Sequence, residues 1–157
     1  MKEIERKFLV CGSYADSVKS VIKITQGYIC TNPAKSVRVR IAGEKGYITI
    51  KGSSSADNTT RFEWEKEISQ KDANELLKLC DGHLIEKTRH IAEYKGKIFE
   101  VDCFHGANEG LLIAEIELSH AQEEFEKPEW LGDEITSDYR YFNLYLHSHP
   151  YKTWKHD

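Results

Sequence analysis

The chain has 157 residues, a length typical of one domain that buries its own core. Charged residues make up 31% of it, the net charge is −4 and the isoelectric point is near 6.0, which argues against a basic nucleic-acid-binding surface. The four cysteines have no metal-type spacing, and no run approaches the ~18 apolar residues of a membrane span. These features predict a cytoplasmic protein with reduced thiols, and neither a nucleic acid nor a membrane as its partner.

Alternation of apolar and polar residues, which is typical of strands, recurs along most of the chain. In chain order it predicts strands over residues 2–10, 26–30, 36–42, 46–52, 61–68, 84–94, 97–104 and 111–118. Stretches rich in glycine, serine and asparagine separate several of these segments and are expected to form turns between antiparallel neighbours. So many strands in so short a chain favour closure of the sheet into a barrel.

Helical patterns interrupt and follow the strands. We predict helices over residues 13–22 and 137–147, and shorter ones after Ser69 and after Ser119. Each of these serines precedes its segment at the position of an N-terminal cap. Gly82 is expected to end the helix that follows Ser69 in the left-handed conformation.

The polar face of each predicted strand carries almost only ionisable side chains. Because residues i and i+2 share a face, each strand presents a charged run opposite an apolar one. The charged residues are Glu3, Glu5, Lys7, Arg38, Arg40, Lys51, Glu63, Glu65, Glu67, Lys87, Arg89, Glu100, Asp102, Glu115 and Glu117. The plainest interpretation is a one-sided sheet whose charged face meets water. The segregation of acidic from basic strands, and the apolar opposite faces, favour a barrel with a charged interior.

A charged interior requires ligands. Buried charges are costly unless they pair or bind ions. The cations would attract a polyanion, and the carboxylates would attract a divalent cation. A nucleotide or an inorganic polyphosphate bound with Mg²⁺ or Mn²⁺ meets both requirements.

The order of these runs resembles that of the CYTH superfamily, also called the triphosphate tunnel metalloenzymes, and in particular its short bacterial-type members. The matching segments are residues 3–7 (EIERK), 26–28 (QGY), 37–40 (VRVR), 48–51 (ITIK), 63–67 (EWEKE), 87–91 (KTRHI), 99–104 (FEVDCF), 110–118 (GLLIAEIEL) and 132–136 (GDEIT). A helix with Tyr139 and Asn143 follows them. The resemblance covers nearly all of residues 2–146.

The resemblance implies an α+β fold that is mainly antiparallel β. It would be an eight-stranded closed β-barrel tunnel, with helices packed outside and a C-terminal plug helix at one end. Residues 137–147 suit the plug. The chain would form one domain, with its core over residues 2–146 and a tail over 147–157.

The resemblance also implies residue roles in a metal-dependent triphosphatase. The phosphate ligands would be Arg38, Arg40, Lys51, Lys87 and Arg89, with Lys7 near the terminal phosphate. The ligands of Mg²⁺ or Mn²⁺ would be Glu3, Glu5, Glu115 and Glu117, aided by Glu63, Glu65 and Glu67. Asp102 would bind the metal or one of its ligands. Tyr28 would be either a general acid or base, or an aromatic residue that packs at the rim.

The expected substrate is a triphosphate-containing small molecule, either inorganic triphosphate or a nucleoside triphosphate. A class IV-type adenylate cyclase is an alternative, although its His-Phe stretch is missing near the N-terminus here. A thiamine triphosphatase would need an aromatic stacking site that the sequence does not reveal. A non-catalytic module that binds polyphosphate or a nucleotide is an alternative of another class, against which the filled acidic positions argue. By base rate the protein could form a homodimer.

Overall fold

A computed structural model describes residues 2–154. Its strands are β1 (Lys2–Val10), β2 (Val18–Cys30), β3 (Lys35–Ala42), β4 (Lys45–Ser54), β5 (Thr60–Ile68), β6 (Asp81–Tyr94), β7 (Lys97–Phe104), β8 (Leu112–Glu117) and β9 (Leu131–Glu134). The α-helices of this part of the chain are α1 (Gln70–Leu77) and the single turn α2 (Asn143–Leu146). Short 3₁₀ turns lie at Ala15–Ser17, Gly106–Asn108, Tyr139–Tyr141 and Tyr151–Thr153.

The strands form one antiparallel sheet in the order β5-β4-β3-β2-β6-β7-β8-β1-β9. The first residues of β1 also pair with β5, with Glu3 opposite Arg61, and this pairing closes β1–β8 into a barrel. The second half of β1 pairs instead with β9, which is an additional strand. The structure therefore confirms the predicted closed eight-stranded barrel.

One end of the barrel is covered by the C-terminal part of the chain. Because neighbouring strands are antiparallel, β1, β2, β4 and β7 end where β3, β5, β6 and β8 begin. Residues 135–154 lie against this end, where Ile135 and Leu146 join a buried cluster with Tyr28 and Phe104. We call it the capped end.

The helix α1 packs on the outside of the barrel against β2, β3 and β4. The hydroxyl Oγ of Ser69 accepts a hydrogen bond of 3.0 Å from the backbone N–H of Asp72, which confirms the predicted cap. Ala73 of α1 is fully buried against β4, where a Cβ at Gly46 would lie 2.7 Å from the Cβ of Ala73. The absence of a side chain at Gly46 lets helix and sheet approach closely.

Two predicted helices are wrong. Residues 18–22 belong to β2, because their backbone pairs with β6 and this ladder outweighs the helical spacing of their apolar residues. Residues 119–128 contain no helix; the Glu123 carboxylate accepts a hydrogen bond of 2.8 Å from the Ser119 backbone N–H. The short strand β9, which the sequence analysis missed, lies further along this stretch.

Two other helical predictions are correct only in part. The segment 137–147 is helical in two pieces, since the extended backbone of Phe142 separates the 3₁₀ turn Tyr139–Tyr141 from α2. Gly82 has the left-handed φ of +68°, but it lies inside β6, whereas α1 already ends at Leu77.

The residues assigned to a tail pack against the barrel as far as the structure describes them. His147 is buried, and Tyr151 and Trp154 pack on the cluster at the capped end. The remainder of the predicted tail, 155–157, lies outside the described residues. All four cysteines are free thiols. Within residues 2–154, none of the helices has the length and apolar character needed to cross a membrane.

We predict that Gly46→Ala destabilises the protein by about 1–3 kcal/mol, because the added methyl group overpacks the contact between α1 and β4. Urea unfolding would measure the change. Gly96→Asn is a suitable control, since Gly96 has open space around it and a φ of +78°, which asparagine tolerates. Equal unfolding midpoints for the two variants would contradict the packing argument.

Candidate active site

A cavity of about 540 Å³ lies inside the barrel. Its charged lining consists of Glu3, Glu5, Lys7, Arg38, Arg40, Lys51, Arg61, Glu63, Glu65, Lys87, Arg89, Glu100, Glu115 and Glu117. Tyr28, several small residues and residues 142–144 complete the lining. The structure thus brings together all of the predicted site residues except Glu67 and Asp102.

Glu67 and Asp102 lie elsewhere for different reasons. The Glu67 side chain is 58% exposed and lies 3.9 Å from the Nζ of Lys45. Asp102 is 1% exposed. Both of its carboxylate oxygens accept hydrogen bonds from Arg89, and Oδ2 also forms an ion pair with Lys87. Asp102 therefore acts as a buried counter-ion beneath the cavity wall.

The arginines on the β3–β5 side of the cavity have unused hydrogen-bonding capacity. The Nε atoms of Arg38, Arg40 and Arg61 are buried and have no hydrogen-bond partner in the described chain. The Nη2 atom of each of these arginines already donates a hydrogen bond. In Arg40 this bond goes to Glu65, at a distance of 3.0 Å. Burial, followed by the charge of Arg38, lowers the pKa of Arg40. An anion in the cavity would meet these guanidinium groups and relieve their repulsion.

Lys87 is the most deeply buried cation of the site. Its Nζ lies 2.9 Å from Asp102 Oδ2 and donates a hydrogen bond of 3.0 Å to Asn143 Oδ1. Burial lowers the pKa of Lys87 to about 8, against the opposing attraction of Asp102. Burial also disfavours the charged forms of Asp102 and Arg89, but the charges of Lys87 and Arg89 outweigh it at Asp102, and the charge of Asp102 outweighs it at Arg89. The pKa of Asp102 lies well below its usual range, and that of Arg89 lies well above.

The carboxylates crowd together on β1, β7 and β8. Glu5 is opposite Glu117, and Glu115 is opposite both Lys7 and Glu100. Burial raises the pKa of Glu115 and of Glu117, and neighbouring carboxylates, Glu5 and Glu3 respectively, add to the effect. Lys7 Nζ lies 3.6 Å from Glu5 and 3.8 Å from Glu115, and this charge only partly offsets the crowding.

This donor set fits a hard divalent cation, because all of its atoms are carboxylate oxygens. Across residues 2–154, no three Asp, Glu, His or Cys side chains already converge into a closed metal site. An open set suits Mg²⁺, which is usually held by one or two carboxylates together with waters and substrate phosphates. Glu3, Glu5, Glu115 and Glu117 could hold such an ion.

Several lining residues were missed by the sequence analysis. Arg61 has the same parity as Glu63 and Glu65 on β5, so the alternation extended by one step would have found it. Phe142 and Asn143 belong to the segment 137–147 that was assigned to the plug, but no role in the cavity lining was predicted for either side chain.

The closed antiparallel barrel with a charged interior defines the class of fold, and comparisons with known proteins define the family. A family model described as the CYTH domain matches residues 1–148. The chain is 47% identical over 155 residues to an inorganic triphosphatase from Acetivibrio thermocellus, covering 98% of each protein. It is 34% identical over 151 residues to an inorganic triphosphatase from Nitrosomonas europaea, covering 93% of this chain and 97% of that protein.

A solved structure agrees with these matches. The crystal structure of an inorganic triphosphatase has a TM-score of 0.68 and 32% identity, covering 92% of this chain and 93% of that chain. The protein therefore belongs to the CYTH domain family.

We predict that Asp102→Asn lowers the free energy of unfolding by roughly 3–5 kcal/mol, because Lys87 would lose the carboxylate that stabilises its buried charge and Arg89 would keep only its ion pair with Glu100. Chemical denaturation would measure it. Asp138→Asn is the control, since Asp138 pairs with Arg140 on the surface and should cost much less. If the two variants show the same small decrease in the free energy of unfolding, Asp102 is not the buried counter-ion described above.

Proposed function

We propose that the protein hydrolyses a terminal phosphoanhydride of inorganic triphosphate, with a divalent metal ion as cofactor. The observation that carries this proposal is the presence, in one cavity, of three arginines whose buried Nε atoms have no hydrogen-bond partner in the described chain, beside crowded carboxylates. A polyanion satisfies the guanidinium groups and a metal ion satisfies the carboxylates. The activity named for the two relatives, both inorganic triphosphatases, supports the same reaction.

The cations are proposed to bind the phosphate chain. The group consists of Arg38, Arg40, Lys51, Arg61, Lys87 and Arg89, all of which line the cavity. Phosphoryl transfer depends mainly on positioning and on charge stabilisation, which cations held in fixed positions supply. Water would attack the terminal phosphorus, the bridging P–O bond would break, and orthophosphate and pyrophosphate would leave.

The carboxylates are proposed to hold Mg²⁺ or Mn²⁺, since an all-oxygen site suits both ions. Glu3, Glu5, Glu115 and Glu117 would be the ligands, with Glu63 and Glu65 binding directly or through water. The bound ion would neutralise phosphate charge and lower the pKa of water. Glu67 is left out, because it lies outside the cavity.

Lys7 and Tyr28 are proposed to act at the reacting phosphate. Burial tends to lower the pKa of Lys7, but the negative charges of Glu115 and Glu5 have the larger effect and raise this pKa above its ordinary value. Lys7 therefore remains an ammonium group that stabilises phosphate charge. The buried phenol of Tyr28 lines the cavity and is the proposed general acid or base.

Inorganic triphosphate is preferred to a substrate with an aromatic ring. The described lining contains two aromatic side chains, Tyr28 and Phe142. The ring of Tyr28 packs against His147, and the Nζ of Lys7 lies 4.7 Å from the centre of the Phe142 ring. Neither provides a free stacking platform for adenine or thiamine. The adenylate cyclase and thiamine triphosphatase alternatives are therefore not favoured.

We also propose a cytoplasmic location. All four cysteines are free thiols, which suits a reducing compartment.

The first experiment is to measure phosphate release by the purified protein from tripolyphosphate, ATP and thiamine triphosphate, each with Mg²⁺, Mn²⁺ or EDTA. We expect metal-dependent release that is fastest with tripolyphosphate. Formation of cyclic AMP and pyrophosphate from ATP would favour a cyclase. Tight binding of tripolyphosphate without any turnover would favour a binding module.

We predict that Glu117→Gln lowers turnover at fixed Mg²⁺ by at least ~10-fold, a loss already typical of residues that merely support metal ligands. Added Mg²⁺ should restore part of it, because the missing charge weakens metal binding. Glu67→Gln is the matched control on a strand of the same barrel, outside the cavity. Full activity of Glu117→Gln at limiting Mg²⁺ would refute the metal-ligand assignment.

A further inference from the structure

The segment 142–147 contacts several functional side chains of the cavity; we call it the C-terminal turn. Phe142 lies over Lys7, as described above. Asn143 bonds to Lys87, and the ring of His147 lies 5.6 Å from that of Tyr28, centre to centre. Asn143 and His147 are four residues apart, which places them on the same side of one helical turn.

Asn143 fixes the direction of the Lys87 ammonium group. Its Oδ1 accepts hydrogen bonds of 3.0 Å from both Lys87 Nζ and Gln26 Nε2. An ammonium group has three N–H donors. Asp102 engages one and Asn143 a second, so the direction of the third is determined. Lys87 lines the cavity, and a phosphate oxygen bound there would be the acceptor for that donor.

The side chain of His147 packs against the ring of Tyr28. This histidine side chain is 7% exposed and lies between the Tyr28 ring and the backbone of Gly82, where an added Cβ would be 2.4 Å from His147 Nδ1. The backbone N–H of His83 donates a hydrogen bond of 2.8 Å to the His147 carbonyl, which anchors the turn to β6. These contacts leave the Tyr28 ring little room to move.

We propose that the C-terminal turn is a positioning element for the reaction, in which Asn143 aims Lys87 and His147 supports Tyr28. The inference rests on the proposed hydrolysis and goes beyond closing one end of the barrel. A cover needs only apolar bulk, whereas positioning needs an oxygen acceptor at residue 143. Small displacements of groups that hold a substrate can cost about 10²-fold in rate.

Covering the barrel and positioning Lys87 predict opposite orders of activity for two variants of similar size. Asn143→Asp keeps an oxygen acceptor for Lys87, and Asn143→Leu removes it but fills the space. Asn108 supplies the matched control, because it is 1% exposed and its Oδ1 accepts a hydrogen bond of 2.8 Å from the Tyr151 backbone N–H, outside the cavity lining. Asn108→Leu likewise removes an amide acceptor at the same end of the barrel.

We expect Asn143→Leu to lower kcat/KM for tripolyphosphate by ~10–100-fold, partly through weaker binding. Asn143→Asp should lower it less, because the aspartate keeps the acceptor for Lys87 although it adds a negative charge to the cavity. Asn108→Leu should lower Tm without a comparable loss of kcat. In a Tyr28→Phe background, His147→Ala should have a smaller effect on kcat than in the parent protein, because the two residues act together. Activity retained by Asn143→Leu but lost by Asn143→Asp would overturn the proposal.

Calorimetric binding of tripolyphosphate in the presence of Mg²⁺ separates this inference from the proposed hydrolysis. Lack of phosphate release by the parent protein would refute hydrolysis alone. Weaker binding by Asn143→Leu than by Asn143→Asp would still support the positioning of Lys87. Equal affinities of these two variants would overturn it.

Discussion

The buried ion cluster of Lys87, Asp102 and Arg89 is the interaction on which the rest of the site depends. Asp102 is almost fully buried and joins two cations that lie on β6, the neighbouring strand. Charges at this depth are tolerated only when they are paired with good geometry. The cluster holds two proposed phosphate ligands in the cavity wall, whereas the carboxylates of β1 and β8 remain crowded. Because the cations are fixed in place and the carboxylates are not fully neutralised, the charges of the cavity favour binding of a metal-bound polyanion.

The same constraint explains why the capped end matters to the site. The C-terminal part of the chain covers the barrel where Lys7, Tyr28 and Lys87 lie, so the cover itself must satisfy polar groups. The backbone N–H of Ile135 and the hydroxyl of Thr136 bond to the backbone of Lys7, and the amide of Asn143 bonds to Lys87. Covering and positioning are therefore performed by the same residues.

Much of the cavity wall could be predicted by alternation along the strands. Glu3, Glu5 and Lys7 share a face because side chains alternate, and an apolar opposite face identifies which side is covered. Alternation failed for Asp102, which has the right parity but is withdrawn into an ion pair. It also failed for Glu67, whose position near the end of β5 exposes it to solvent.

The sequence by itself determined the strands and the charged face of each, which follow from local periodicity, and the cap of α1, which follows from residues three positions apart. The closed eight-stranded barrel was favoured by the number of strands and implied by the resemblance to the CYTH superfamily. Only the tertiary structure decided that residues 18–22 extend β2, that β9 exists, and that Asn143 meets Lys87. The first depends on pairing with β6, more than 60 residues away in the chain, and the last joins residues 56 apart. Contacts between residues so distant in sequence arise only when the chain folds, so no local pattern records them.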